Sequence, residues 1–231
     1  MYKDNKISVI IPCYNEEATI GGILKKMPSF VDELIVVDNN SNDKTAKIAV
    51  KNGAKVVKEY KQGVGWATKR GLSEAKGMII LVMDGDGQHD PKDIIRFVRK
   101  LLSGKFDIVS GNRFHNNGFR SKTGIFFRDA GNCFQTWIFN MLLGTKIGDS
   151  QNGMWVFRKE VLEKINLKSA GFNIVEEFKA RCIHKDFKFA EIAMDCNKRK
   201  DKSRLSPLRD GAKNIFFLFV LFYEIKIKKA R

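Results

Sequence analysis

Two carboxylates follow an apolar run in the first half of this 231-residue chain, at a spacing that suits a metal ion. The apolar run covers residues 78–83, and Asp84 and Asp86 then appear in the segment Asp-Gly-Asp-Gly-Gln-His-Asp. Glycine allows the backbone to turn closely, and hard oxygen ligands suit a divalent cation such as Mg²⁺ or Mn²⁺. The pair taken alone also fits a tight Asp-Gly turn whose acids are simply solvated.

A third carboxylate, Asp38, follows the apolar run at residues 34–37. Open α/β sheets bind their ligands at the carboxyl ends of the strands. We therefore expect Asp38, Asp84 and Asp86 to lie along one edge of a sheet. The sequence predicts a metal-assisted site for a phosphorylated ligand at that edge.

The elements that would position these acids alternate between strand and helix. Apolar runs predict strands over 7–11, 34–37, 55–57, 78–83 and 106–109. Helices are predicted between them, from a cap at Asn15 through Met27, over 45–52 and 66–75, and from Pro91 after a cap at Asp90. This order predicts an α/β fold with a largely parallel, doubly wound sheet.

The second half of the chain is less regular. Strands are predicted over 154–156 and 189–194, and a helix over 174–184. Another helix is predicted from six residues at helical spacing, whose side chains we expect to pack in the core: Phe127, Ala130, Phe134, Trp137, Ile138 and Met141. Since we find neither an internal repeat nor a low-complexity linker, we predict one domain over 1–210 and a basic, apolar-tipped element over 211–231.

The charge is strongly basic and unevenly distributed. The formal net charge is +16, and residues 198–231 contain eleven basic and three acidic side chains. A basic tail favours an anionic partner, which could be nucleic acid, an anionic membrane surface or a phosphorylated substrate, although a merely solvated lysine-rich face also fits. The four cysteines form no Cys-x-x-Cys pair, and the amino end resembles no signal peptide, so we expect reduced thiols and a cytosolic protein.

Residues 215–223 form an uninterrupted apolar run. As a helix it would cover only about 14 Å, whereas a bilayer core is about 30 Å thick. We therefore expect that it cannot span a membrane. It could pack on the core, meet a partner, including an integral membrane protein, or lie at a membrane surface with its flanking lysines among the headgroups: Lys213, Lys226, Lys228 and Lys229.

Several motifs, in one order, resemble family 2 GT-A glycosyltransferases over about residues 7–210. The segments are Pro-Cys-Tyr-Asn-Glu at 12–16, Val-Asp-Asn-Asn-Ser-Asn-Asp-Lys-Thr at 37–45, the glycine-rich 63–71, Asp-Gly-Asp-Gly-Gln-His-Asp-Pro at 84–91, Gly-Asn-Arg at 111–113, Asp-Ser-Gln-Asn-Gly at 149–153 and Arg-Lys-Asp-Lys-Ser-Arg at 199–204. Within that family the chain is most similar to dolichyl-phosphate mannose synthases and related polyprenyl-phosphate glycosyltransferases.

The resemblance implies a Rossmann-like GT-A fold of three α/β/α layers, a nucleotide-sugar donor, a Mg²⁺ or Mn²⁺ ion and a polyprenyl-phosphate acceptor. The implied metal and diphosphate ligands are Asp84, Asp86 and Gln88. The implied nucleoside contacts are Pro12, Tyr14, Glu16 and Asp38, and Gly63 and Lys69 join this donor-binding set. The implied phosphate contacts are Arg113, Arg128, Arg199 and Ser203; Arg113 and Arg128 form the expected catalytic group together with Asp149.

The implied reaction is an inverting transfer of a hexose from a GDP- or UDP-sugar to polyprenyl phosphate, catalysed on the cytoplasmic face of a membrane by a peripheral protein. A phosphate monoester is mostly dianionic near neutrality, so we expect the acceptor to need arginines to hold it more than a base to activate it. Asp149 is the base by family position, but it could equally orient an arginine or bind the metal. Asn39, Val64 and Met154-Trp155 depart from the family pattern, and Trp155 could instead pack in the core.

Other functions are weighed against this one. A saccharide acceptor, or a protein that binds nucleotide-sugar without catalysis, stays open. A haloacid-dehalogenase-type phosphatase is disfavoured, because it would carry its Asp-x-Asp on the first strand. An EF-hand calcium loop is disfavoured, because it would need glycine where His89 stands. The tail lacks interleaved aromatic residues, so we predict no nucleic-acid partner.

Overall fold

A single seven-stranded sheet forms the centre of the fold. The computed structural model describes residues 2–114, 126–197 and 207–227, with residues 126–128 and 207–210 described by their backbone alone. In chain order the strands are β1 (Ile7–Cys13), β2 (Glu33–Asp38), β3 (Lys55–Lys58), β4 (Ile79–Val82), β5 (Ile108–Asn112), β6 (Trp155–Arg158) and β7 (Phe189–Ala193). Their spatial order is β3-β2-β1-β4-β6-β5-β7.

The sheet is mostly parallel, as the sequence predicts. Only β6 runs antiparallel to its neighbours, β4 and β5, among the strands of the described residues. The registers of β1 with β2 and with β4 place Ile10 beside Ile35 and Val82. The carboxyl ends of β2, β1 and β4 therefore share one edge of the sheet.

Helices cover both faces of the sheet. They are α1 (Ile20–Lys25), α2 (Thr45–Lys51), α3 (Val64–Glu74), α4 (Ile94–Leu102), α5 (Phe126–Leu143), α6 (Val161–Lys164), α7 (Ile174–His184) and α8 (Pro207–Phe222), with a 3₁₀ turn at Pro91–Asp93 and a π-helical turn at Tyr223–Ile227. One core lies between the sheet and α4, whose Ile94, Phe97 and Val98 are fully buried. The other face of the sheet buries Trp155 against Phe157 and Phe178, which agrees with the alternative that Trp155 packs in the core.

The predicted cap of the first helix is wrong. Helix α1 begins at Ile20, and Asn15 has a positive φ of 52° in the turn before it. The Asn15 side chain accepts a hydrogen bond from the backbone N–H of Asn42 (2.7 Å), so it joins two loops and caps no helix. Asparagine tolerates this left-handed conformation better than most residues. The predicted cap at Asp90 is confirmed, because its carboxylate accepts from the N–H of Lys92 (3.0 Å).

The apolar stripe of α5 is only partly in the core, which contradicts the expectation for three of its members. Ile138 is buried, but Phe134, Trp137 and Met141 are 54%, 58% and 56% exposed. The interior face of α5 instead buries polar side chains, which bind the segment before β6. Regular spacing of apolar residues identified the helix correctly but not the face that turns inward.

The carboxy-terminal helix α8 packs against α5. Leu218, Leu221 and Ile225 of this segment are buried with Ile138 and Phe139 of α5. None of the helices in the described residues has the length and hydropathy needed to cross a bilayer. The boundary between residues 210 and 211 stays a prediction.

Candidate active site

The predicted acids gather at the edge formed by the carboxyl ends of β2, β1 and β4. Asp38 is the last residue of β2 and lies in register with Cys13 at the end of β1. Asp84 follows β4 closely, and the hydroxyl of Thr19 donates to the carbonyl of Gly85 (2.7 Å), which fastens the acidic turn to the segment after β1. The strand order thus places the three acids at one edge, as open α/β sheets do with their ligand sites.

The residues expected to hold the nucleoside follow β1 and β2. Pro12, Glu16 and Asp38 are buried, and Tyr14 is half-buried. Asp38 Oδ1 accepts from the N–H of Ser41 (3.0 Å), and the N–H of Glu16 donates to Thr45 Oγ1 (2.8 Å). The first bond closes a turn in the loop after β2, and the second ties the loop after β1 to the start of α2.

The loop before α3 is attached to the loop after β2 by Asn39. Its side-chain amide donates to the carbonyls of Glu59 (3.0 Å) and Lys61 (2.8 Å), and its Oδ1 accepts from the N–H of Gly63 (2.8 Å). An ionised aspartate, which is common at this position in the family pattern, has no hydrogen to donate to these carbonyls. In this chain Asn39 therefore makes two hydrogen bonds that an ionised aspartate at the same position could not make.

Gly63 and Lys69 pack against the segment that precedes α7. Gly63 has a φ of 138°, and a Cβ there would overlap the carbonyl of Ala170. Lys69 Nζ lies 3.8 Å from the ring centroid of Trp66 and donates to the carbonyl of Lys168 (3.1 Å), and burial lowers the pKa of Lys69. The structure thus places Gly63 beside the Asn39 loop and gives Lys69 protein partners.

The two acids of the Asp-Gly-Asp turn differ in exposure. The Asp84 side chain is 44% exposed, whereas Asp86 is buried and accepts from the N–H of Gln88 (3.0 Å). Gln88 Nε2 in turn approaches the carbonyl of Asn197 (3.4 Å). Asp84 is the more accessible of the two carboxylates.

The surroundings of Asp84 fit a cation. A Cβ at Gly153 would overlap the Asp84 carboxylate, so glycine there leaves room for the acid. The buried Nδ1 of His89 forms no hydrogen bond within the described part of the chain and lies 3.9 Å from Asp84 Oδ2. Two carboxylates and an amide oxygen are hard donors that suit Mg²⁺ or Mn²⁺. No group of three or more His, Cys, Asp or Glu side chains is arranged as a metal site in the described residues.

Arg113 and Asp149 form a buried, two-pronged ion pair. Arg113 Nε lies 2.7 Å from Asp149 Oδ2, and the terminal nitrogen Nη2 lies 2.8 Å from Oδ1. Asp149 is fully buried. Burial alone would raise the pKa of Asp149, but the Arg113 guanidinium outweighs it and holds that pKa below its usual range. A carboxylate so held is a poor proton acceptor, so the geometry fits the orienting role of Asp149 better than the role of base.

Buried charges hold the Asp149 backbone from behind. Lys179 Nζ donates to the Asp149 carbonyl (2.7 Å), and the Glu191 carboxylate accepts from the N–H groups of Gly148 (2.7 Å) and Asp149 (3.0 Å). Burial lowers the pKa of Lys179 to about 8 and raises the pKa of Glu191. This network fixes the Asp149 carboxylate against Arg113.

A second buried acid, Glu176, holds the residue after Asp149. It accepts from Ser150 Oγ (3.1 Å) and from Gln135 Nε2 of α5 (3.0 Å), and burial raises the pKa of Glu176 to about 8. The sequence motifs do not point to Glu176, Lys179 or Glu191. Glu176 and Lys179 are three residues apart on α7, beside Ala180, and only the structure shows that this side of the helix is buried.

Three expected phosphate contacts lie outside what the structure describes. Arg199 and Ser203 fall outside the described residues, and the side chain of Arg128 falls outside them too. Their roles stay predictions. Of the expected catalytic group, the structure therefore brings together Arg113 and Asp149.

Comparisons with known proteins identify the family of this chain. The family described as Glycosyl transferase family 2 matches residues 8–166. The dolichyl-phosphate hexose transferase of Haloferax volcanii is 27% identical over 91% of this chain and 91% of its own length. The dolichol-phosphate mannosyltransferase of Pyrococcus furiosus is 30% identical over 88% of this chain, which spans 62% of that protein and 53% of another Haloferax volcanii relative, the hexosyltransferase Agl6.

A solved structure shares the fold. Glucosyl-3-phosphoglycerate synthase from Mycobacterium tuberculosis, in complex with Mn²⁺, UDP-glucose and phosphoglyceric acid, superposes with a TM-score of 0.75 at 21% identity, covering 96% of this chain and 79% of that one. The fold is therefore that of the GT-A glycosyltransferases. With the family match over most of the sheet and the acids at its edge, this chain belongs to glycosyl transferase family 2 and is a glycosyltransferase.

Proposed function

We propose that this enzyme transfers a hexose, with inversion, from a GDP- or UDP-sugar to a polyprenyl phosphate such as dolichyl or undecaprenyl phosphate. The proposal depends on one observation: a single short segment of chain contacts both Asp84 and Arg113. Gly153 lies against Asp84, and the same short segment carries Asp149, which holds Arg113. The segment 149–153 thus contacts both the acid proposed to bind the metal and the arginine proposed to bind phosphate.

The donor would be held at the strand tips. Asp84, Asp86 and Gln88 would bind a Mg²⁺ or Mn²⁺ ion together with the donor diphosphate. When bound, the cation would neutralise negative charge on the departing nucleotide. The nucleoside would lie on the surface that contains Pro12, Tyr14, Glu16 and Asp38, with Gly63 and Lys69 at its margin.

The acceptor phosphate would be oriented by Arg113. The Arg113 side chain is 17% exposed while its partner Asp149 is fully buried, so the arginine is anchored from the protein side. A fixed guanidinium fork suits phosphate oxygens, and a dianionic phosphate is already a nucleophile. In this mechanism Asp149 positions Arg113 and removes no proton. Arg128, Arg199 and Ser203 would add further phosphate contacts.

The lipid acceptor is supported by the relatives named as dolichyl- and dolichol-phosphate transferases. It is also supported by the exposed apolar side chains on α5 and α8, because a protein that meets a lipid must approach a membrane. We place the protein at the cytoplasmic face of a membrane as a peripheral enzyme, where cytosolic nucleotide-sugars meet lipid phosphates.

A soluble phosphorylated acceptor is the second candidate. It is favoured by the shared fold with glucosyl-3-phosphoglycerate synthase, which was solved with phosphoglyceric acid. An arginine that binds phosphate serves either acceptor equally well, so the acceptor's apolar part distinguishes the two.

A donor and acceptor screen tests the proposal. The purified chain is incubated with Mn²⁺ or Mg²⁺, with UDP- and GDP-sugars, and with either a short polyprenyl phosphate in detergent or phosphoglyceric acid. Mass spectrometry should detect a glycosylated polyprenyl phosphate that disappears when EDTA is added. Transfer to phosphoglyceric acid, with none to lipid phosphate, would reject the acceptor assignment.

A further inference from the structure

Helix α5 exposes large apolar side chains on one part of its surface and buries polar side chains on another. Its polar residues Gln135 and Thr136 are each only 5% exposed, whereas Phe134 and Trp137 are more than half exposed. The two exposed rings stack on each other, with centroids 5.9 Å apart. A water-facing helix normally shows the opposite distribution, so this face is suited to an apolar surrounding.

Helix α8 and the turn after it add a second exposed apolar stripe. Leu218 and Leu221 are buried against α5, while Phe216, Phe219 and Tyr223 remain 48–70% exposed. We name the six exposed residues of the two packed helices the apolar surface: Phe134, Trp137, Met141, Phe216, Phe219 and Tyr223. Exposed apolar patches of this kind mark an interaction site.

Positive charge accompanies the apolar surface. Lys213 and Lys226 are exposed on the same segment as the α8 stripe, and Lys146 is exposed just after α5. The charge of Glu224 in this segment is balanced within the protein, because its carboxylate pairs with Lys168 (3.1 Å) and Arg181 (3.2 Å). Exposed lysines beside exposed rings match the headgroup and acyl layers of an anionic bilayer.

We propose that the apolar surface inserts into the interfacial layer of an anionic lipid bilayer. A second copy of the chain suits this surface poorly, because pairing would bring the lysines of two highly basic chains together. The inference rests on the proposed lipid acceptor for its purpose, but membrane binding is measurable without any transfer reaction.

Docking through this surface would bring the active site close to the lipid headgroups. The inward side of α5 binds residues 147–150, which we name the Asp149 segment. Thr136 Oγ1 accepts from the N–H of Ser150 (3.0 Å), and Asn140 Nδ2 donates to the carbonyl of Ile147 (2.9 Å). One helix diameter, about 10 Å, therefore separates the bilayer-facing side from the residues that hold Arg113. A lipid phosphate could reach that arginine without leaving its membrane.

Vesicle binding tests the proposal with a matched pair of variants. The intact chain should sediment with phosphatidylglycerol/phosphatidylcholine vesicles, less with phosphatidylcholine alone, and less at high salt. The double variant Phe134→Ser/Trp137→Ser should bind about tenfold more weakly or worse. The control Val50→Ser/Met78→Ser removes two apolar residues of equal exposure, 62% each, elsewhere on the molecule and should bind normally.

Brominated lipids place Trp137 directly. They should quench part of the fluorescence of the intact chain, and the variant Trp137→Phe should bind vesicles but lose that part of the quenching. No vesicle binding, equal weakening in both double variants, or a dimer by light scattering that Phe134→Ser/Trp137→Ser dissociates would overturn the proposal. Vesicle binding without transfer to any lipid phosphate would leave docking intact and reject the acceptor, whereas transfer in detergent without vesicle binding would do the reverse.

Discussion

Asp84 at the tip of β4 and Asp149 beside Arg113 are both candidate site residues, but their environments are opposite. Asp84 is 44% exposed at the end of β4, and its carboxylate occupies space that a side chain at Gly153 would fill. Asp149 is fully buried, bonded through both oxygens to Arg113, with its backbone held by Lys179 and Glu191. Both are carboxylates in glycine-containing turns, so the sequence alone describes them alike.

The difference separates carboxylates that can take a ligand from carboxylates that hold the protein. An accessible acid keeps oxygens for a cation, and its removal should cost activity but little stability. A buried, paired acid is costly to disturb, since breaking the pair leaves a charge without a partner. The following variants test this division, beginning with the largest expected effect.

Removing a strand-tip charge should abolish most transfer. We expect Asp84→Asn and Asp86→Asn each to lower kcat/KM by about a thousandfold, because a neutral amide binds Mg²⁺ or Mn²⁺ poorly. The melting temperature should change little in Asp84→Asn, whose carboxylate is 44% exposed, and more in Asp86→Asn, whose carboxylate is buried. The control Asp186→Asn replaces an exposed acid whose φ of 57° asparagine tolerates. Full activity of either site variant with bound metal would disprove the metal assignment.

Removing the buried charge should damage both stability and activity. We expect Asp149→Asn to cost about 3 kcal/mol of unfolding free energy and about a hundredfold in activity, since Arg113 loses its anchor. If Asp149 acts only through Arg113, the double variant Asp149→Asn/Arg113→Gln should be little worse than the worse single variant. Denaturant melts and kinetics measure both. Complete loss of turnover with intact stability, metal binding and donor binding would instead identify Asp149 as a base.

The room around Asp84 should matter for metal affinity. We expect Gly153→Ala to weaken Mn²⁺ binding about tenfold or more, because the added methyl overlaps the Asp84 carboxylate. Gly22→Ala is the matched control, as no atom lies within 4 Å of its Cβ position and alanine favours a helix. Titration calorimetry compares the two. Unchanged Mn²⁺ affinity in Gly153→Ala would show that Asp84 does not bind the cation.

The buried acid Glu176 should make stability depend on pH. Its pKa of about 8 lies above that of an unfolded glutamate, about 4.3, so the folded state binds the extra proton. The contribution of Glu176 is full below about pH 4 and declines as pH rises towards 8, by at most about 1.4 kcal/mol per pH unit. The variant Glu176→Gln should remove this decline in melts at several pH values. Parallel pH profiles of the two proteins would contradict it.

The smallest effect is expected at a strand-tip residue with a structural role. Asn39→Asp should cost about 1–2 kcal/mol of stability, because carboxylate oxygens would face the carbonyls of Glu59 and Lys61. Asn42→Asp, at an exposed position nearby, is the control. Equal stability of the two variants would show that the Asn39 amide bonds are dispensable.

Local pattern was sufficient for most elements and insufficient for the direction that some of them face. In α4 and α5 alike, apolar residues recur at helical spacing, yet Phe97 is fully buried and Trp137 is 58% exposed. The spacing predicts that a helix has an apolar face, but the elements packed around the helix decide whether that face is buried or exposed. For α5 the deciding neighbours are the Asp149 segment, which binds its polar residues, and α8, which packs against part of its apolar residues.

Contacts between residues far apart in the chain could not be predicted from local sequence patterns either. Arg113 and Asp149 are 36 residues apart, and Lys179 lies 30 residues beyond Asp149. Motif resemblance named the first two and left three roles open for Asp149. Burial and the guanidinium contact favour orientation over proton transfer.

The sequence by itself determined the alternating elements, the acids at strand ends and the family, because these depend on local periodicity and on residues close together in the chain. Tertiary structure alone decided that Asn15 joins two loops, that Glu176, Lys179 and Glu191 hold the Asp149 segment, and that α5 turns its rings outward. Burial, pKa and contact are properties of neighbours in space, and those neighbours come from distant parts of the chain.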